Sequence, residues 1–138
     1  MRFLIVIQNE IKALRLGNNS ITEMNSICNP ILLTLKPDLI TWLDLSFNSL
    51  TQIDVQVAEG LPNLTTLYLH ANRISKISNV KKLANFSSLK SVTLYGNPIE
   101  ENKHYRNMVL YVCPKLIQLD FSPITSSQRD KVFLRRHK

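Results

Sequence analysis

The sequence predicts an α/β solenoid. Short coils stack side by side, with a short parallel sheet on the concave face and short helices and 3-10 turns on the convex face. A C-terminal helix and strand form a cap. Three observations carry this reading. First, a phrase with two leucines and an asparagine recurs. It stands at Leu14-Arg15-Leu16-Gly17-Asn18-Asn19, at Leu43-Asp44-Leu45-Ser46-Phe47-Asn48 and at Leu67-Tyr68-Leu69-His70-Ala71-Asn72. With valine leading, it returns as Val92-Thr93-Leu94-Tyr95-Gly96-Asn97. The asparagines lie 29, 24 and 25 residues apart, the spacing of stacked structural repeats. Second, apolar Ile11, Ile40, Leu64 and Leu89 precede the phrases, and Ile21, Leu50, Ile74 and Ile99 follow the asparagines, each at a fixed offset. Third, apolar residues alternate within each phrase, as in a strand with one buried face.

Together these positions spell L-x-x-L-x-L-x-x-N-x-L, the leucine-rich repeat pattern. A weaker copy runs Leu116, Leu119, Phe121, with Ile124 where asparagine is expected. One coil cannot hide its apolar face, so its neighbours must cover it. Each buried leucine contributes roughly 1.5–3 kcal/mol relative to exposure. The asparagine amide can donate and accept at once, so it can satisfy turn groups that would otherwise be buried without partners. A ladder of asparagines inside the stack is expected.

The elements follow in chain order. Phe3 to Ile7 reads as a rough strand shielding the first coil, since its apolar run is too short for a signal peptide of about 7–15 apolar residues. Ile31 to Leu35 reads as a helical turn or two closed by Pro37. After Asn48 the run Gly60-Leu61-Pro62 carries little helix signal. After Asn72, the residues Val80, Leu83, Ala84 and Phe86 predict a short helix facing the core. Gly96-Asn97-Pro98 turns the chain, and Glu100 and Glu101 suit a helix N-terminus. Tyr105, Met108, Val109 and Val112 then fall on one helical face. Pro114 ends that helix before a strand from Leu116 to Phe121. The organisation is one structural domain, with repeats over 1–96, a cap over 97–125 and a basic tail over 126–138.

The chain has 138 residues, enough for a sizeable core, and no apolar run of membrane-spanning length. Cys28 and Cys113 have no paired spacing, which points to a reducing compartment. The only glycines are Gly17, Gly60 and Gly96, so no phosphate loop is present. His70, His104 and His137 lack metal-ligand spacing. The expectation is a protein without catalytic residues, metal, cofactor or small-molecule substrate.

Binding candidates come from the outward strand positions. One column reads Ala13, Trp42, Thr66, Ser91 and Gln118. The next reads Arg15, Asp44, Tyr68, Thr93 and Asp120, and the third Gly17, Ser46, His70, Tyr95 and Ser122. The expected concave protein-binding face is therefore Arg15, Trp42, Asp44, Tyr68, His70, Thr93, Tyr95 and Asp120. Its aromatic residues either grip a partner or pack on each other along the sheet. Phe47, just before its asparagine, reads as packing beneath the turn. A second candidate is charge. The chain carries 17 basic and 10 acidic residues, a net +7. Arg129, Lys131, Arg135, Arg136 and Lys138 form a basic tail that could meet RNA or the acidic tails of tubulin. The alternative is a solvated helix end, although Val132, Phe133 and Leu134 point to docking.

Gly96-Asn97-Pro98, Tyr105-Arg106-x-x-Val109, Pro114 and Leu119-Asp120-Phe121 resemble the C-terminal cap of intracellular leucine-rich repeat proteins. That family includes dynein axonemal light chain 1 and the U2 small ribonucleoprotein A-prime protein. The stretch Leu43 to Asp54, Leu67-Tyr68-Leu69-His70 and Asp120-Phe121-Ser122 with Thr125 and Arg129 resemble one member of it in particular. The resemblance covers roughly residues 11 to 130. It implies a protein-interaction role in the cytoplasm, in a ciliary axoneme or on microtubules, with axonemal proteins or tubulin as partners. The alternative is a nuclear ribonucleoprotein subunit that holds an RNA-binding protein, with RNA contacted only in that case.

Overall fold

Alternating leucines lay down the strands of one sheet. The computed structural model describes residues 4–7, 11–26 and 36–136. Within it β2 (Ile11–Arg15), β3 (Trp42–Asp44), β4 (Thr66–Tyr68), β5 (Ser91–Thr93) and β6 (Gln118–Leu119) pair in parallel, in chain order. Registers align Leu14, Leu43, Leu67, Val92 and Leu119 across the sheet. These five residues are at most 1% exposed, and so are Leu16, Leu45, Leu69 and Leu94 one step on. At each end the sheet closes with an antiparallel strand. β1 (Leu4–Ile7), inside the segment read as a first strand, pairs with β2, and β7 (Ser122–Pro123) pairs with β6. Among the described residues the sheet has seven strands, in sequence order.

The expected asparagine ladder is present. Asn48 Nδ2 donates to Leu16 O at 3.1 Å and Leu45 O at 3.0 Å. Asn72 Nδ2 donates to Leu45 O and Leu69 O, both at 3.0 Å. Asn97 Nδ2 donates to Leu69 O and Leu94 O, both at 2.9 Å. Each side chain thus ties its own coil to the one before. The Oδ1 atoms of Asn48, Asn72 and Asn97 accept from the backbone N–H of Ile21, Leu50 and Ile74. Just before each asparagine the backbone turns left-handed, with φ of 60° at Asn18, 56° at Phe47, 58° at Ala71 and 73° at Gly96. A residue with a Cβ adopts that conformation at a cost of about 1–2 kcal/mol. The hydrogen bonds on either side hold it there.

The convex side holds more helix than the sequence reading gave. α1 (Val55–Gly60) follows Asn48, where little helix was expected. Asp54 caps it, accepting from Gln56 N–H at 2.8 Å, and Val57 and Ala58 are buried. A helix this short leaves almost no periodic signal. α2 (Ser78–Lys82) runs into a 3-10 turn at Leu83–Asn85. It buries Val80 and Leu83, with Phe86 just beyond, while Ala84 faces solvent rather than the core. Another 3-10 turn covers Pro37–Leu39. The helical turn read at Ile31 to Leu35 lies outside the described residues.

In the cap, the acidic pair sits in a 3-10 turn, Pro98–Glu101. α3 (Tyr105–Val112) follows and buries Tyr105, Val109 and Leu110, with Met108 and Val112 partly buried against the core. The strand expected from Leu116 to Phe121 shortens to Gln118–Leu119. Asp120 and Phe121 both turn left-handed, at φ 53° and 63°, and reverse the chain into β7. The tail forms α4 (Ser126–Arg136). A reciprocal pair starts it: Gln128 N–H donates to Thr125 Oγ1 at 3.1 Å and Thr125 N–H to Gln128 Oε1 at 2.9 Å. Val132 is buried where α4 packs on α3.

Candidate functional site

Parallel register brings outward side chains of neighbouring coils side by side. Arg15, Asp44, Tyr68 and Thr93 occupy one row. The Arg15 guanidinium lies 5.5 Å from the Trp42 ring centre. Trp42 meets Tyr68 edge-on at 5.3 Å, and Tyr68 lies 5.9 Å from His70. His70 stacks on Tyr95 at 4.7 Å, with the planes only 9° apart. Four of the eight sequence-derived residues therefore gather on one continuous surface, Arg15, Trp42, Tyr68 and Tyr95, while His70, expected to face outward, is buried between the rings at 7% exposure.

Two phenylalanines that the sequence reading left out of the face complete it. Phe47 meets the edge of His70 at 5.5 Å, and Phe121 lies 5.2 Å from Tyr68 and 5.7 Å from His70. Phe47 is 53% exposed and Phe121 49%. Phe47 does not pack beneath its turn as expected, because its left-handed backbone sends the ring onto the concave side. Phe121 stands in the sequence where the repeat expects an inward leucine. The left-handed pair at Asp120 and Phe121 turns it outward. For Phe47 the signal was its place just before a repeat asparagine, the address that is left-handed in every coil; for Phe121 no sequence period marks the turn.

Three of the predicted residues have internal duties. Thr93 is 0% exposed and not part of the surface. Its Oγ1 accepts from Leu69 N–H at 3.1 Å and meets His70 Nδ1 at 2.7 Å. Asp120 turns its carboxylate into the cap rather than into the hollow. Oδ1 accepts from Leu94 N–H at 2.7 Å and Tyr95 N–H at 3.0 Å, and Oδ2 accepts from the Tyr105 hydroxyl at 2.6 Å. Burial, then that bond to Asp120, pushes the Tyr105 phenol well above its ordinary range, so it stays protonated and donates. Asp44 is half-buried, and its Oδ1 accepts from the Ser46 N–H at 2.9 Å and hydroxyl at 2.6 Å. Burial holds His70 below the usual histidine range, against the opposing pull of Asp44 and Asp120. His70 is thus packed beneath the face, among the rings of Phe47, Tyr68, Tyr95 and Phe121.

The basic tail is likewise partly committed. Arg129 donates to Leu110 O at 3.0 Å and to Leu116 O, clamping α4 onto the cap instead of offering a free charge. Lys131 is exposed, Arg135 and Arg136 end α4, and Lys138 lies outside the described residues. Burial pushes the Cys113 thiol up to about 11, against the pull of Arg129, which leaves it an unreactive thiol. Cys28 lies outside the described residues. Among the described residues no three His, Cys, Asp or Glu gather as metal ligands, and no helix is long and apolar enough to cross a membrane.

The placement of Phe47 has a measurable consequence. Phe47→Gly relieves about 1–2 kcal/mol of left-handed backbone cost. Against that stand about 0.5–1 kcal/mol of glycine chain entropy and about 0.5–1.5 kcal/mol of ring contact with His70. The expected change in urea unfolding free energy is within about 1 kcal/mol, whereas a core phenylalanine truncated to alanine loses about 3–5 kcal/mol. A loss in that larger range would return Phe47 to the core.

Comparison with known proteins gives three likenesses and one family match. The leucine-rich repeat family model matches residues 7–135. Leucine-rich repeat-containing protein 51 of Bos taurus is 43% identical over 119 residues, 86% of this chain and 62% of that protein. It is the member that the stretch from Leu43 to Asp54 resembles. The chain thus spans about three fifths of that relative's length. U2 small nuclear ribonucleoprotein A' of Neurospora crassa is 32% identical over 97 residues, 70% of this chain and 38% of that protein. Among solved structures, a chain of the Drosophila melanogaster SNF/U2A' complex superposes with a TM-score of 0.70 at 21% identity. That match covers 95% of this chain and 85% of the other, and shows a shared fold.

Proposed function

The chain belongs to the leucine-rich repeat family, and on that premise we propose that it is a non-catalytic scaffold whose concave face holds a partner polypeptide. The proposed setting is a ciliary axoneme or a microtubule-associated assembly in the cytoplasm. One observation carries the binding role: Trp42, Phe47, Tyr68, Tyr95 and Phe121 form a ring surface braced on the buried His70. Aromatic side chains dominate the energy of protein interfaces. Rings already braced against each other lose little freedom when a partner arrives. Two left-handed phenylalanines, each about half exposed, contribute little to the core. Arg15 and Asp44 flank the rings as charges that would set a partner's orientation. Lys131, Arg135 and Arg136 on α4, with Lys138 after them, would add attraction to acidic tubulin tails.

The fold shared with a chain of the SNF/U2A' complex favours a second reading. There the chain would sit in the nucleus and hold an RNA-binding protein. The Tyr68→Ala/Tyr95→Ala double variant tests the face common to both readings. Each truncation removes a hot-spot ring worth about 2 kcal/mol, so affinity for a captured partner should fall by a factor of 100 or more, on the order of two 30-fold losses. The fold should survive, since such ring pairs contribute about 0.5–1.5 kcal/mol each. Equal capture by the variant and the parent chain from ciliated-cell extract would discard the concave face. Imaging a tagged copy then separates the settings: axonemal signal supports the first, nuclear signal the second.

A further inference from the structure

Amid the rings of the concave face lies one hydrogen-bond donor that nothing answers. His70 is 7% exposed and stacks on Tyr95, with Phe47, Tyr68 and Phe121 around the rest of its ring. Its two ring nitrogens have different neighbours. Nδ1 lies 2.7 Å from Thr93 Oγ1, a buried hydroxyl oxygen that already accepts from Leu69 N–H at 3.1 Å. Among the described residues the Thr93 O–H has no other acceptor within reach. Were Nδ1 to donate to Oγ1, the hydroxyl proton would be buried without a partner, which native interiors avoid. Thr93 therefore donates to Nδ1, and the ring proton sits on Nε2. Nε2 itself has no hydrogen-bond partner among the described residues, and among them no fully buried side-chain nitrogen or oxygen lacks one. Both hold only if Nε2–H reaches the solvent of the hollow. The small exposed part of His70 thus includes its one donor, framed by apolar rings.

The surroundings decide what this donor takes. A partner that seals the rings also cuts Nε2–H off from water. Covered without an acceptor, the N–H lowers affinity by roughly 5- to 150-fold. A carboxylate is a poor occupant, because Asp44 and Asp120 lie near enough to favour positive charge on His70, and the same field repels another anion. A neutral oxygen carries no such penalty. Resting on the concave face as the binding surface, we propose that His70 Nε2–H selects the partner. It receives one uncharged carbonyl oxygen set among apolar side chains, from an Asn or Gln side chain or an unpaired main-chain peptide. Thr93 is a positioning residue that holds the proton on Nε2.

The test uses the full chain at about pH 7.5, above the ordinary histidine pKa. Two-bond proton–nitrogen correlation spectra should show the His70 ring protonated on Nε2. Three probes of similar shape then separate the donor from the rings. Acetophenone carries a carbonyl, α-methylstyrene has a methylene in its place, and benzoate has a carboxylate. Acetophenone should bind about fivefold tighter than α-methylstyrene, the gain from one hydrogen bond, and should move the Nε2 signal of His70. Benzoate should bind no better than α-methylstyrene. His70→Phe/Thr93→Val replaces both polar partners with apolar groups, and the main-chain oxygen at position 93 still accepts from Leu69 N–H, at 3.0 Å. This variant should bind acetophenone and α-methylstyrene alike. The parent-chain comparison stands even if the variant folds poorly. Equal binding of those two probes by the parent chain would overturn the proposal and leave the ring surface standing. So would a ring proton found on Nδ1, benzoate as the tightest probe, or no binding by any probe. Capture by Tyr68→Ala/Tyr95→Ala reads the concave face independently.

Discussion

Asn72→Ala should remove roughly 2–4 kcal/mol of unfolding free energy, because the buried Leu50 N–H loses its partner and two buried carbonyls each lose one of two donors. The side chain is 6% exposed and holds Leu45 O, Leu69 O and Leu50 N–H, each at 3.0 Å. The abandoned Leu50 N–H costs about 1–3 kcal/mol, and each carbonyl, which keeps Asn48 or Asn97 as a donor, loses a bond worth about 0.5–1.5 kcal/mol; a water entering the vacated space would recover part of this. Since a whole domain is stable by about 5–15 kcal/mol, such a loss takes a large share of it. The control is Asn85→Ala. Asn85 is exposed and bonds only locally, to Lys82 O at 3.0 Å, so a change within about 0.5 kcal/mol is expected. Urea titration followed by circular dichroism reads both. A loss at Asn72 no larger than that at Asn85 would mean that the ladder does not hold the coils together.

The second large effect is expected at the cap. Asp120→Ala strips acceptors from the Leu94 and Tyr95 N–H groups and from the Tyr105 hydroxyl. Hydrogen bonds to a charged acceptor contribute about 1.5–3 kcal/mol each, so a loss of about 3–5 kcal/mol is expected after partial hydration. Alanine also fits the left-handed backbone at position 120 less well than aspartate. Asp120→Asn keeps an acceptor oxygen and that backbone tolerance, and should lose only about 1 kcal/mol. Tyr95 belongs to the ring surface and has its N–H fixed by Asp120. The alanine variant should therefore also loosen the stack of Tyr95 on His70, seen as broadened ring resonances. Equal losses for the two variants would show that the charge of the carboxylate, which asparagine lacks, sets the cost rather than the presence of an acceptor.

Much of this was open to reading in the chain. Leu14, Leu43 and Leu67 announce their burial because alternation is a local property of a strand. Asn48, Asn72 and Asn97 announce theirs because only an amide supplies donor and acceptor together. The cap was read from Gly96-Asn97-Pro98 and Tyr105, where a 3-10 turn and α3 stand. What escaped was non-local or conformational. Alternation placed Thr93 and Asp120 on the outward face, but the groups that occupy them come from distant positions, His70 and Tyr105. Phe47 and Phe121 escaped for the opposite reason. A left-handed residue breaks the parity on which inward and outward assignments depend. Helix α1 is too short to show a period, although Asp54 ahead of Val57 and Ala58 marked its start.

One backbone address before each asparagine now holds Asn18, Phe47, Ala71 and Gly96. The architecture demands an angle at that address, not a residue type, with one exception. A Cβ on Gly96 would press to 3.2 and 3.3 Å on the main chain of Ala71. The other three are stations where the lettering can change while the frame stays put. Aromatic, amide and methyl groups could be exchanged among them to regrade the grip of the hollow, leaving every buried leucine untouched. A selectable surface of this kind is available to a protein engineer at three points of the present chain.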